Sequence, residues 1–312
     1  MNQTCIAHTT MEAAMNLLRF TELVAKTKAS PEKTVLLMNM FETVSDLWPE
    51  IESIFSYKML SPIKSQALAS IQKLTESTQA ILAEFVSSIQ KNASKMAPAG
   101  GGIHLLTYKV MDYVTLLADR VGTLSDIGVV ASRIARIVLI LLCKLDKKAE
   151  IYKDIALSYL FLANNLRFVV DRVGATYLRF LLGEDWLSNQ EMKVKLYTGS
   201  YESVTWAKVM AALPAEAESS PAAACKERFR RFNVAFQAAC KKQSVWSVPD
   251  PKMHDEVQIS ITRKVVPAYR RFYKSCYAAI VTEERDLEVL VRFSPDNLGN
   301  YLSDFFHATM EI

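Results

Sequence analysis

His8, His104, His254 and His307 are the only imidazoles in the chain. They lie too far apart for an H-E-x-x-H zinc site or a local base–nucleophile pair, and neither a G-x-S-x-G elbow nor a Walker loop occurs. The nearest paired carboxylates are Glu184-Asp185 and Glu283-Glu284. Both read as first-turn helix residues or solvated faces, where acids favour the helix dipole. The aspartate-rich metal motifs of helical prenyl-chain enzymes are absent. Gly100, Gly101 and Gly102 have the composition of a phosphate cradle, but no strand precedes them, so they read as a helix-to-helix loop. The residue types therefore point away from catalysis, metal and cofactors, and towards a protein that binds.

The remaining chemistry is charge. Residues 225–277 carry 12 Lys or Arg against 4 Asp or Glu, a formal +8, whereas the whole chain is only +4. A mildly acidic body thus carries a strongly basic region, whose candidate ligands are phosphoinositide membrane, nucleic acid or an acidic protein. On a helix over 226–242, Cys225, Phe229, Phe232, Phe236 and Ala239 form one stripe, with Lys226, Arg230 and Lys241 beside it. Over 259–276, Val265, Val266, Tyr269, Phe272 and Cys276 form a buried face. Arg263, Arg270 and Lys274 stand on another, and Pro267 is expected to kink the helix. The aromatics share the buried stripe instead of interleaving with the cations, which disfavours nucleic acid. A membrane patch would gain about 1 kcal/mol for each cation near an anionic leaflet; the plainer alternative is a solvated face.

The elements that hold this face read as all-α. Only 9 Gly and 10 Pro occur in 312 residues, half of them hydrophobic, enough to bury a large core. Ser30-Pro31, Ser61-Pro62, Asp250-Pro251 and Ser294-Pro295 each place a capping oxygen before a proline at the first helical position. After Pro31, the apolar positions Leu36, Leu37, Met40, Phe41, Val44 and Leu47 predict one buried face. The segment 62–91 predicts a helix of about 45 Å. A further helix is expected from Leu105 to Val121, between breaks at 98–102 and 122–126. Segments 127–145 and 151–173 read as a pair joined by a charged turn at 146–150, followed by helices over 184–197 and 201–213 and a loop at 214–221. The sequence shows no repeat of 33, 34 or 40 residues. The expected architecture is an elongated rod of stacked helical bundles, with sub-bundles near 1–97, 103–213 and 222–312.

Cys5, Cys143, Cys225, Cys240 and Cys276 form no C-x-x-C pair and are odd in number, so neither a disulfide framework nor a zinc knuckle is expected and a reducing compartment fits. Cys225 and Cys240, about 22 Å apart along one helix, are expected to be packing residues. Residues 1–10 lack the basic and apolar regions of a secretory leader, and no apolar stretch reaches the roughly 20 residues of a membrane span. The expectation is a cytoplasmic protein that meets membrane peripherally.

Longer motifs resemble a known family. Lys226-Glu227-Arg228-Phe229, Phe232-Asn233, Trp246-Ser247-Val248-Pro249-Asp250-Pro251, Val266-Pro267-Ala268-Tyr269-Arg270 and Asn300-Tyr301-Leu302-Ser303-Asp304 resemble the C-terminal region of the Exo-seventy (Exo70) subunit of the exocyst in its plant form. Gly101-Gly102-Ile103-His104, Asn164-Asn165-Leu166 and Gly183-Glu184-Asp185-Trp186 extend the resemblance over most of the chain. It implies a non-enzymatic helical protein that helps tether secretory vesicles to the plasma membrane, binds phosphatidylinositol bisphosphate through C-terminal basic residues and contacts other members of the exocyst. Family members with such contacts place lysines three and seven positions before the tyrosine that resembles Tyr269. Those positions are Val266 and Thr262 here, so the patch is expected instead at Arg263, Lys264, Arg270, Arg271 and Lys274. The resemblance covers the family's C-terminal region, so this chain is expected to lack the N-terminal region that family members use for assembly. An alternative is a diverged paralogue acting in immunity, bound by a pathogen effector or an immune receptor.

Overall fold

The computed structural model describes residues 2–28, 30–55, 61–92, 97–121, 127–213, 221–281 and 290–310, with side chains for all of these except 2–10, 31, 61, 121, 127–130, 279 and 305–310. The expected breaks at 122–126, most of the loop at 214–221 and the Glu283-Glu284 pair lie outside the described residues, as do the side chains of His8 and His307. The helices are α1 (Asn2–Ala25), α2 (Pro31–Asp46), α3 (Trp48–Ile54), α4 (Ser61–Lys91), α5 (Leu105–Val121), α6 (Ile127–Ala149), α7 (Ile155–Gly174), α8 (Leu178–Leu182), α9 (Glu184–Ala211), α10 (Ala222–Gln243), α11 (Pro251–Ile280) and α12 (Pro295–Met310). No strand occurs among the described residues; the fold is all-α.

The local signals act as their chemistry dictates. Ser30 accepts from the Lys33 amide and Asp250 from the Met253 amide, each with proline in the first turn. Ser294 Oγ accepts from the Asn297 amide at the start of α12. α4 keeps its apolar stripe over 31 residues, burying Ala67, Leu74, Ile81, Phe85 and Ile89. In α2, Leu37 and Val44 are buried, but Leu36 and, just past the helix end, Leu47 are exposed, so the buried face is narrower than the sequence reading had it.

Two boundaries differ. α6 continues through the charged turn expected at 146–150 and ends at Ala149, because Lys147 and Lys148 suit the negative end of the helix dipole. The helices expected over 184–197 and 201–213 are one, α9, running through Gly199. A helical glycine costs about 1 kcal/mol, and burial of Val194, Tyr201, Trp206 and Val209 on either side outweighs it.

By internal contacts the chain forms two compact units: Met1–Ala93 with Lys109–Lys144 and Val173–Gly183, and Ser94–Tyr108 with Leu145–Arg172 and Glu184–Ile312. The first is built around α4, against which Leu18 of α1 and Leu37 and Val44 of α2 pack. The second has the larger aromatic core. Phe229 of α10 lies 4.4 Å from Phe272 of α11, and Phe232 lies 4.6 Å from Tyr269, ring centre to ring centre. Rising numbers on α10 meet falling numbers on α11, so the two helices run antiparallel.

That pairing overturns the expectation that no disulfide forms. Cys225 in the first turn of α10 is bonded to Cys276 near the end of α11, with Cα atoms 5.4 Å apart. Spacing along the chain carries no trace of a link made only by antiparallel packing of two long helices. Cys240 is buried and unlinked, the packing role expected of it, and Cys143 is exposed.

The triple glycine is a structural loop. Asn164 Nδ2 donates to the Gly101 carbonyl and to that of Ser247, and the Ser247 amide donates to the Gly100 carbonyl. Asn165 Oδ1 accepts from the His104 amide and the Thr107 hydroxyl, while His104 Nδ1 accepts from the Leu106 amide. The loop's polar groups are turned to α7 and the 246–248 segment.

Candidate functional site

The basic region centres on α11, the helix that α9, α10 and α12 all contact. Its buried side carries Ile261, Val265, Tyr269, Phe272 and Cys276. From Val257 to Ile280 the sequence of α11 contains five cations and no acid. At 100° per residue, Arg263, Arg270 and Lys274 fall within one narrow stripe about 16 Å long, and Lys264 and Arg271 form a second stripe beside it. All five side chains are exposed. Pro267 lies between the stripes and the helix continues through it.

Packing sorts these cations into two kinds. Lys264 Nζ donates to Glu202 Oε2 of α9 at 2.5 Å, and the Ser260 hydroxyl donates to the same oxygen at 2.6 Å. The Glu202 side chain is only 6% exposed, so Lys264 is drawn onto the α9–α11 seam. Arg270 Nη2 donates to Asp296 Oδ1 of α12 at 2.7 Å, but both groups stand in water. Such a pair is weak and exchanges readily with a competing anion. Arg263, Arg271 and Lys274 meet no acid within ion-pair reach among the described residues. The structure thus brings four of the five predicted residues onto one accessible surface and leaves Lys264 at its edge as a positioning contact.

Elsewhere in the basic window the cations are partly spoken for. Arg231 Nε pairs with Glu227 along α10, and Lys242 Nζ with Asp154 at 2.6 Å. Although burial alone would raise the Asp154 carboxyl, the Lys242 contact and the Ala156 and Leu157 amides hold it below its ordinary range. The sequence reading missed Glu202 and Asp296, the two acids that divide the patch. They lie 62 and 26 residues from the cations they meet, and no spacing rule reaches that far.

Tyr269, under the same stretch of α11, donates its hydroxyl to the Phe293 carbonyl at 2.8 Å and so ties the segment before α12 to the core. Burial pushes its phenol well above the ordinary range. Among the described residues no cluster of His, Cys, Asp or Glu is arranged to hold a metal, and no helix is long and apolar enough to cross a membrane.

The described residues are all-α, and α11 carries an acid-free, cationic stretch from Val257 to Ile280. The chain belongs to the Exo70 exocyst family: the family model for the C-terminal part of Exo70, an exocyst complex component, matches residues 1–304. It is 30% identical to the Arabidopsis thaliana exocyst complex component EXO70A1, over 97% of this chain and 51% of that protein. With Arabidopsis EXO70B1 the identity is 32%, over 83% of this chain and 44% of the relative. The chain spans about half the length of these relatives. A solved structure of Saccharomyces cerevisiae Exo70 superposes with a TM-score of 0.57 at 16% identity, covering 95% of this chain and 69% of the yeast chain.

Proposed function

We propose that this chain serves as the membrane-facing part of an exocyst subunit, helping to tether secretory vesicles at the cytoplasmic face of the plasma membrane, with the other exocyst subunits as its protein partners. Docking is electrostatic and peripheral: Arg263, Arg270, Arg271 and Lys274 meet an anionic, phosphoinositide-bearing leaflet. The observation that carries this reading is the acid-free run of α11 from Val257 to Ile280, whose cations are exposed while Tyr269 and Phe272 are buried. Family membership supports the exocyst context.

Vesicle flotation tests it. With roughly 1 kcal/mol for each cation near the leaflet, neutralising Arg263, Arg270 and Lys274 should lower partitioning onto phosphoinositide vesicles by about two orders of magnitude. Raising salt should weaken wild-type binding as the Debye length contracts. Neutralising Lys264 should matter less, because Glu202 already holds it. Binding indifferent to phosphoinositide, salt and the three cations would overturn the reading.

A further inference from the structure

A second cationic feature lies in the other compact unit, between α4 and α6. A recess of about 430 Å³ is lined on the α6 side by Arg133 and Arg136, and on the α4 side by Gln79, Ser87 and Gln90, with Leu82 beneath. Arg133 and Arg136 are three residues apart on α6, so they are neighbours on one helical face, and both line the recess. Arg133 is half-buried and Arg136 exposed. Among the described residues no carboxylate lines the recess, and neither arginine has an ion pair or hydrogen bond.

The fold itself has no use for this arrangement. Like charges on adjacent turns repel, and a partly desolvated guanidinium without a counter-ion is disfavoured. The acid of α4 nearest along the same face, Glu76, is already engaged by Gln72 and Lys73. Lys144, which does not line the recess, donates its Nζ to the Gln90 carbonyl at 2.8 Å. Lys144 lies on the same face of α6 as Arg133, eleven residues on. Among the described residues, two arginines therefore line one concavity whose other polar side chains are neutral amides and a hydroxyl.

We propose that this α4–α6 recess is an anion site for a phosphate-bearing ligand, with Arg133 and Arg136 gripping phosphoryl oxygens and Gln79, Ser87 and Gln90 completing the hydrogen bonds. Phosphate fits better than carboxylate. Two guanidinium forks present more donors than one carboxylate has lone pairs, and a phosphoryl group offers three oxygens to both. The recess has room for more than a single phosphate. The site is independent of the α11 surface, with which it shares no residue.

Titration calorimetry of the whole chain with inorganic tripolyphosphate, beside flotation with phosphatidylcholine vesicles that do or do not carry a phosphorylated inositol lipid, tests the site. Arg133→Gln/Arg136→Gln should weaken tripolyphosphate binding at least tenfold. Gln90→Glu should do the same while raising the melting temperature, because it supplies the missing counter-ion; this variant separates loss of the site from loss of the fold. Vesicle binding that depends on Arg133 and Arg136 assigns the phosphate to a lipid headgroup, and vesicle binding that does not assigns it to a soluble anion. Tripolyphosphate that fails to bind, or that binds the double glutamine variant as tightly as wild type, overturns the proposal.

Discussion

Removing the α10–α11 crosslink should cost the second compact unit a large share of its stability. Cys225 and Cys276 are 51 residues apart in sequence, and closing a loop of that size withdraws about 4 kcal/mol of chain entropy from the unfolded state. A domain of this size loses about 2–4 °C of melting temperature per kcal/mol, so full reduction or a Cys225→Ala/Cys276→Ala variant should lower the transition by roughly 10 °C. The Phe229–Phe272 and Phe232–Tyr269 contacts do not depend on the bond, so the reduced chain should keep its helical circular dichroism. Calorimetry with and without reductant, beside mass spectrometry of the peptides containing Cys225 and Cys276, reads both effects. Linked peptides absent from the non-reduced protein, or an unshifted melting transition after verified reduction, would refute the reasoning.

Three further outcomes follow from particular contacts. Lys264→Ala leaves the Glu202 carboxylate buried without its ammonium and should cost about 2 kcal/mol, whereas Glu202→Gln/Lys264→Gln should recover part of that in urea unfolding; equal losses would argue against coupling across the α9–α11 seam. Gly101→Ala places a Cβ 2.8 Å from Leu157 Cδ1 at a backbone φ of +74°, so its unfolding midpoint should fall by the equivalent of about 1–3 kcal/mol; an unchanged midpoint would mean the loop yields freely. Burial raises the phenols of Tyr201 and Tyr269, and pushes Cys240 and Tyr152 up to about 12. These groups stay neutral in the folded chain and ionise sooner in the unfolded one, so the stability they contribute is complete below about pH 9 and is lost as pH rises towards 12. Part of the absorbance of the 12 tyrosines should therefore appear only with alkaline unfolding; full tyrosinate absorbance in the folded chain near pH 10 would contradict the burial of these rings.

Most of the helical order was legible because its causes are local. Ser30 and Asp250 cap the turn that follows them, and α4 shows its buried side through apolar residues three and four apart. The errors arise where a local signal competes with packing: Gly199 reads as a break but lies inside α9, where buried Tyr201 and Trp206 hold the helix across it. Likewise Leu36 and Leu47 have core-type side chains but stand exposed, because burial depends on what α2 packs against.

The order of residues was enough to determine which side of α11 is oily and which is cationic, since a helix turns 100° per residue wherever it lies. Only the packed chain decided that Glu202 would capture Lys264, that Asp296 would meet Arg270 in open water, and that Cys225 would find Cys276. Ion pairs and disulfides act over a few ångströms, and contacts between residues 26 to 62 positions apart come within that range only once the antiparallel helices have docked.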